Sequence, residues 1–123
     1  MEVVLVVGLG GAIGAIFRWW VGVLMSHVLA PVFLGTLVIN LAGSFLVGVL
    51  LIWFQGKLPI NDVLRTGIVV GLLGGFTTYS AFSMETVNMM MAGFYGRASA
   101  YVVVTVAVCL MGTWAGAMLG RSV

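Results

Sequence analysis

Apolar residues run unbroken between a few charged positions, and those charges divide the chain into stretches long enough to cross a bilayer as helices. Residues 98–120, between Arg97 and Arg121, carry no formal charge, and residues 66–84 are likewise free of charge between Arg65 and Glu85. A helix rises about 1.5 Å per residue and a hydrocarbon core is about 30 Å thick, so each run is of spanning length. Residues 19–56 form a third run, too long for one span and divided at Ser26, His27 and Pro31. The N-terminal run, residues 3–17, is short, so its span must continue past Arg18 to about Met25. The pattern predicts spans at 3–25, 32–54, 62–91 and 97–120 of a single transmembrane domain, with no linker between them. Continuous apolar runs point to helices, because the strands of a membrane barrel alternate.

Composition agrees with lipid as the solvent. Hydrophobic residues make up 63% of the 123 and charged residues 7%, with a mean hydropathy of +1.27. A soluble domain carries roughly 25% charged residues, which five basic and three acidic side chains cannot approach. The start, Met1-Glu2, lacks the basic stretch of a cleaved signal, so the first span is expected in the mature protein. The single cysteine, Cys109, excludes an intrachain disulfide and a cysteine-based zinc site. So small a net charge, +2, gives no reason to expect nucleic acid as a partner.

Four spans place Lys57, Arg65 and Arg121 on one side of the membrane and Arg18 and Arg97 on the other. Three against two is a weak orientation signal. Either a bias exists that so few charges barely express, or the chain inserts both ways and pairs antiparallel with itself. The glycines recur at intervals of four, at Gly67, Gly71 and Gly75 and again at Gly112, Gly116 and Gly120, with Gly10 and Gly14 a shorter instance. That spacing lets a second backbone approach closely. Helix packing is its ordinary meaning, and seams this extensive on four thin helices argue for an oligomer.

The third span holds Gly74-Gly75-Phe76-Thr77-Thr78-Tyr79-Ser80, which is poor helix. A break is expected there, with one half-helix ending near Gly74 and another starting near Tyr79. Freed backbone groups at membrane depth require protein, water or an ion. Carbonyls at the end of the first half suit a cation, and amides at the start of the second suit an anion. The alternative is a kink satisfied by the hydroxyls of Thr77 and Thr78. Tyr79 and Phe82 share a face of the second half and offer an anion their positive ring edges, or simply pack.

Asn40, with Ser44 one turn on, lies well inside the second span and must be paired, either to another helix or to an ion. Tyr101, Thr105, Cys109 and Thr113 follow at steps of four and read as a wetted track along the fourth span, against the alternative of separate interhelical bonds. Arg18 and Glu85 are the ionisable residues nearest the membrane interior and hence functional candidates, although Arg18 is close enough to a span end to snorkel.

These segments resemble the Fluc (CrcB-type) fluoride channel family over nearly the whole chain. The resemblance is carried by Gly11-Ala12-Ile13-Gly14-Ala15-Ile16-Phe17-Arg18-Trp19, by Gly35-Thr36-Leu37-Val38-Ile39-Asn40, and by the run from Gly71 through Gly74-Gly75-Phe76-Thr77-Thr78-Tyr79-Ser80-Ala81-Phe82 to Glu85. It implies an all-α membrane protein with a third helix broken mid-membrane, assembled as an antiparallel, dual-topology homodimer in a bacterial inner membrane. It further implies two fluoride pores and one structural, untransported Na⁺ at the dimer centre, held by backbone carbonyls of Gly74 and Thr77. The fluoride pathway falls on Asn40, Tyr79, Ser80, Phe82, Tyr101, Thr105 and Thr113, with Arg18, Ser44 and Glu85 as vestibule or supporting residues. The chain departs from the family pattern at Tyr79, where a phenylalanine is usual, and at Ala81, where a threonine is usual.

Other functions fit less well. A small multidrug transporter needs an acid in its first span, and residues 3–17 contain none. A membrane enzyme such as a small lipid kinase needs clustered carboxylates for Mg²⁺, which three scattered acids do not supply. A purely structural subunit leaves the polar stripe and the broken span without purpose.

Overall fold

The structure is a computed structural model that describes residues 1–29 and 31–123. The apolar runs become helices α1 (Glu2–Val28), α2 (Val32–Gly56) and α6 (Tyr95–Ser122). The third span, Asp62–Met91, is composite. It starts as α3 (Asp62–Thr66), widens into a π-helical stretch (Gly67–Leu73), tightens into a short α4 (Gly74–Phe76), and restarts after two extended residues as α5 (Tyr79–Met91). All four spans are long and apolar enough to cross a membrane.

Polar residues at the ends explain where the helices stop. Asn61 caps the third span by accepting the Leu64 amide at 2.8 Å, which satisfies one donor the first turn leaves free. Gly93, at φ 85°, ends α5 in the left-handed conformation. It allows the amides of Gly93 and Phe94 to fold back onto the carbonyls of Met90 and Met89. Lys57 reaches across from the end of α2, and its Nζ donates to the carbonyls of Gly120 and Arg121 at 2.8 and 3.3 Å. A cation is thereby placed on the negative end of α6.

The glycine seams, which on the sequence argue for an oligomer, are filled within one chain and so give no information about a partner. α1 packs on the first half of the third span, and α2 packs on α6. A methyl group at Gly14 would collide with the Leu72 carbonyl, and one at Gly75 would stand 2.6 Å from the Gly11 carbonyl. Likewise Gly48 abuts the Thr113 carbonyl and Gly116 the Phe45 carbonyl, too closely for any side chain. Lipid supplies no hydrophobic force between helices, so this contact of backbone with backbone is what holds each pair together. The break gives the third span two partners: its first half lies on α1, whereas α5 lies on α6 and α2.

The helix continues two residues further than its glycines suggest. Gly74 and Gly75 are helical, with Gly74 at φ −63° and ψ −36°. The chain turns extended only at Thr77 (φ −77°, ψ 154°) and Thr78 (φ −145°, ψ 112°). Packing of Gly75 against Gly11 outweighs the weak helix preference of glycine.

Candidate functional site

The break is held by Asn40. Its side-chain Oδ1 accepts the Thr78 amide at 2.7 Å, and its Nδ2 donates to the Thr78 carbonyl at 3.0 Å. This pair replaces two backbone bonds that extended geometry takes from the helix. Asn40 therefore serves as an interhelical clamp, yet an amide NH₂ carries two hydrogens, so a second donor is still available. Thr78 is buried and caps α5, its Oγ1 accepting the Ala81 amide at 3.2 Å and lying 3.3 Å from Ser80 Oγ. Thr77 Oγ1 turns back to its own helix and donates to the Leu73 carbonyl at 2.9 Å.

Beside the clamp is a groove of about 400 Å³ between α2, the broken third span and α6. Asn40, Ser44, Gly74, Thr77, Thr78, Tyr79, Phe82, Thr105 and Cys109 are in its wall. Thr105 is 6% exposed, and its hydroxyl has no hydrogen-bond partner among the described residues. A buried hydroxyl without a partner is costly, and this one has almost no surface open to the groove, so its neighbours must shift before a guest or water completes its bonding.

A run of tilted aromatic rings leads away from the break. Tyr79 stands 5.6 Å from Phe82 at 57°, Phe82 5.2 Å from Tyr101 at 48°, and Tyr101 5.1 Å from Phe33 at 62°. Tilted rings turn the edge of one toward the face of the next, and a ring edge carries the positive charge of its hydrogens. Glu85 lies at the Tyr101 end of this run. Tyr101 donates to its Oε2 at 2.7 Å and Thr36 to its Oε1 at 2.6 Å, so the carboxylate ties α5 to both α6 and α2.

Thr36 has a part that the sequence reading does not give it. The signal is present: Thr36, Asn40 and Ser44 follow at steps of four on α2, the same spacing that picks out the stripe on α6. That α6 stripe divides in the structure. Tyr101 joins Glu85, Thr105 and Cys109 enter the groove, and Thr113 points its hydroxyl to the Cys109 carbonyl at 3.2 Å, outside the groove wall. A four-residue step turns about 40° from alignment, so by Thr113 the stripe has rotated roughly 120° from Tyr101. Ser80 is exposed beside the break, and Arg18 is half-buried on α1 with no hydrogen bond or ion pair to another described residue.

The profile of the CrcB family, described as "CrcB-like protein, Camphor Resistance (CrcB)", matches residues 5–117. The chain belongs to the CrcB family. Proteins similar to this CrcB chain include one from Coxiella burnetii (strain Dugway 5J108-111), 41% identical over 96% of this chain and 97% of its own length. Another, from Agrobacterium fabrum, is 39% identical over 94% of each chain. A third, from Rhizobium meliloti, is 37% identical over 99% of this chain and 98% of its own. All three are called fluoride-specific ion channel FluC. Four spanning helices and membership of a channel family make this CrcB chain a multi-pass integral membrane protein.

Proposed function

We propose that the protein is a passive, fluoride-selective channel that lets fluoride leave the cytoplasm across the bacterial inner membrane. The observation that carries this reading is the near-full-length relatedness to proteins named for that activity. The site geometry accords with it. An anion stripped of water in a low dielectric is prohibitively costly unless donors are waiting. The second N–H of Asn40, the free hydroxyl of Thr105, amides at the N-terminus of α5 and the ring edges of Tyr79 and Phe82 are such donors, none of them a full positive charge. Weak, serial partners let an ion bind and move on. Donors at such close quarters hold a small anion better than chloride, whose charge lies further from them. At the Glu85 end, Thr36 and Tyr101 spend their hydroxyl hydrogens on the carboxylate, which screens its charge from a passing anion.

A second copy of the chain completes the site in this reading. Gly74, Tyr79 and Ser80 are exposed on one chain, with Tyr79 79% exposed. Irregular backbone at membrane depth cannot face lipid, so protein must cover it. An antiparallel homodimer with one groove in each half, and hence two pores, meets that need. In such a dimer the carbonyls of Gly74 and Thr77 would face their counterparts. A methyl at Gly74 would meet only the Val69 carbonyl at 3.8 Å, so that side of the backbone is open. Neutral carbonyl oxygens are hard donors suited to a structural Na⁺, which would pin the halves together.

Fluoride efflux from vesicles holding the purified protein, read with an electrode and compared with chloride efflux, tests the activity. Fast fluoride loss with chloride retained is expected, and trapped fluoride in vesicles with folded protein refutes it. Light scattering in detergent should give twice the chain mass of 13.0 kDa. Replacing Na⁺ by a large organic cation should weaken that dimer.

A further inference from the structure

We propose that Thr36 is a positioning residue for anion passage: it gives the Glu85 carboxylate a dedicated donor and so holds that charge off the path. The effect on passage rests on the channel reading, whereas the grip on Glu85 rests on geometry alone. Thr36 is 7% exposed, and its hydroxyl donates to Glu85 Oε1 at 2.6 Å, 49 residues away in sequence. By contrast, Thr66, Thr77, Thr86 and Thr113 each turn the hydroxyl back onto the carbonyl four residues earlier. That local bond is the one a helix readily offers a threonine. Thr36 leaves it unmade at Val32 and reaches another helix instead. A hydroxyl has a single hydrogen to donate, so the choice is exclusive.

The link closes a bridge between α2, α5 and α6. Tyr101, 4% exposed, donates to the other carboxylate oxygen at 2.7 Å, and its ring lies 5.2 Å from Phe82 and 5.1 Å from Phe33. Phe33 comes one turn before Thr36 on α2, so that helix places both a ring against Tyr101 and a donor on Glu85. Hydroxyl-to-carboxylate bonds of about 2.5–2.7 Å are strong ones, because the acceptor is charged. With each oxygen so held, the carboxylate is tied between α2 and α6. Without Thr36, Oε1 takes a donor from the path or swings its charge toward it, and either change opposes a passing anion. Valine fills the space of Thr36 but gives no hydrogen, whereas serine gives the hydrogen and loses a methyl group. The two variants therefore separate positioning from packing.

Thr36→Val and Thr36→Ser are compared with wild type as purified full chains, for fluoride efflux from vesicles and by carbon NMR of carboxyl-labelled glutamate in detergent. Glu2 and Glu85 are the only glutamates, so Glu85→Gln assigns the Glu85 resonance by its loss. Efflux should fall by about tenfold or more in Thr36→Val, which loses a bond to a charged group, and stand close to wild type in Thr36→Ser. The Glu85 resonance should move in Thr36→Val and hold its place in Thr36→Ser. Packing alone predicts the reverse order, because serine leaves a cavity and valine does not. That order, equal slowing of both variants, or wild-type efflux in Thr36→Val overturns the proposal. Should Thr36→Val fail to fold on size exclusion, Thr36→Ala takes its place, since it differs from Thr36→Ser by the hydroxyl alone. If wild type conducts no fluoride, the channel reading falls, while the Glu85 resonance still decides whether Thr36 holds the carboxylate.

Discussion

Replacing Asn40 by aspartate separates what the clamp does for the fold from what it does for an anion. The aspartate keeps an acceptor for the Thr78 amide, which lies at 2.7 Å in the native chain, but deletes the donor held 3.0 Å from the Thr78 carbonyl. A carbonyl left unpaired away from water costs about 1–3 kcal/mol. The substitution also sets a negative charge beside the passing ion. Two like charges about 4 Å apart at an effective dielectric near 20 repel by about 4 kcal/mol, or roughly three orders of magnitude in occupancy. Asn40→Ala loses both bonds to Thr78 without adding charge, so it should destabilise the fold more and conduction less. Efflux rates from vesicles, with thermal unfolding in detergent, should therefore rank the two variants oppositely: aspartate slowest in fluoride transport, alanine lowest in melting temperature. Equal efflux for Asn40→Asp and wild type would refute the placement of Asn40 beside the ion.

Further expectations concern the supports. Tyr101→Phe removes one hydrogen bond to the Glu85 carboxylate; such bonds are worth about 1.5–3 kcal/mol, so efflux should slow by tenfold or more while the ring stays in place. Gly116→Val puts a branched side chain where the Phe45 carbonyl already touches, and should prevent α2 from seating on α6, seen as loss of folded protein on size exclusion. Lys57→Met removes the cation that caps α6, and should lower thermal stability by about 0.3–1 kcal/mol with efflux unchanged.

Much of the architecture is legible because charge is so scarce: apart from Arg18 and Glu85, the charged residues mark membrane edges, and the uncharged runs between them have few ways to fold. The broken third span is legible for the same reason, since lipid gives its weak helix formers no cover. The break itself falls two residues later than its glycines suggest, because Gly75 is committed to the Gly11 carbonyl on another helix. The π-helical stretch at Gly67–Leu73 has no local sequence signature; it lies where the third span is wedged against α1. Thr36 is missed for a related reason: its meaning depends on Glu85, 49 residues away in sequence. Spacing along one helix identifies a polar stripe. Only the partner helix decides which part of it, Thr105 or Thr113, reaches the groove.

The central claim, selective passive passage of fluoride, is tested most directly by the reversal potential of the purified protein in a planar bilayer, with fluoride graded across it and chloride equal on both sides. A tenfold fluoride gradient should move the reversal by close to the ideal value of about 59 mV for one charge, and a chloride gradient alone should move it little. A reversal that follows chloride, or a bilayer that stays silent with folded protein inserted, would contradict the account.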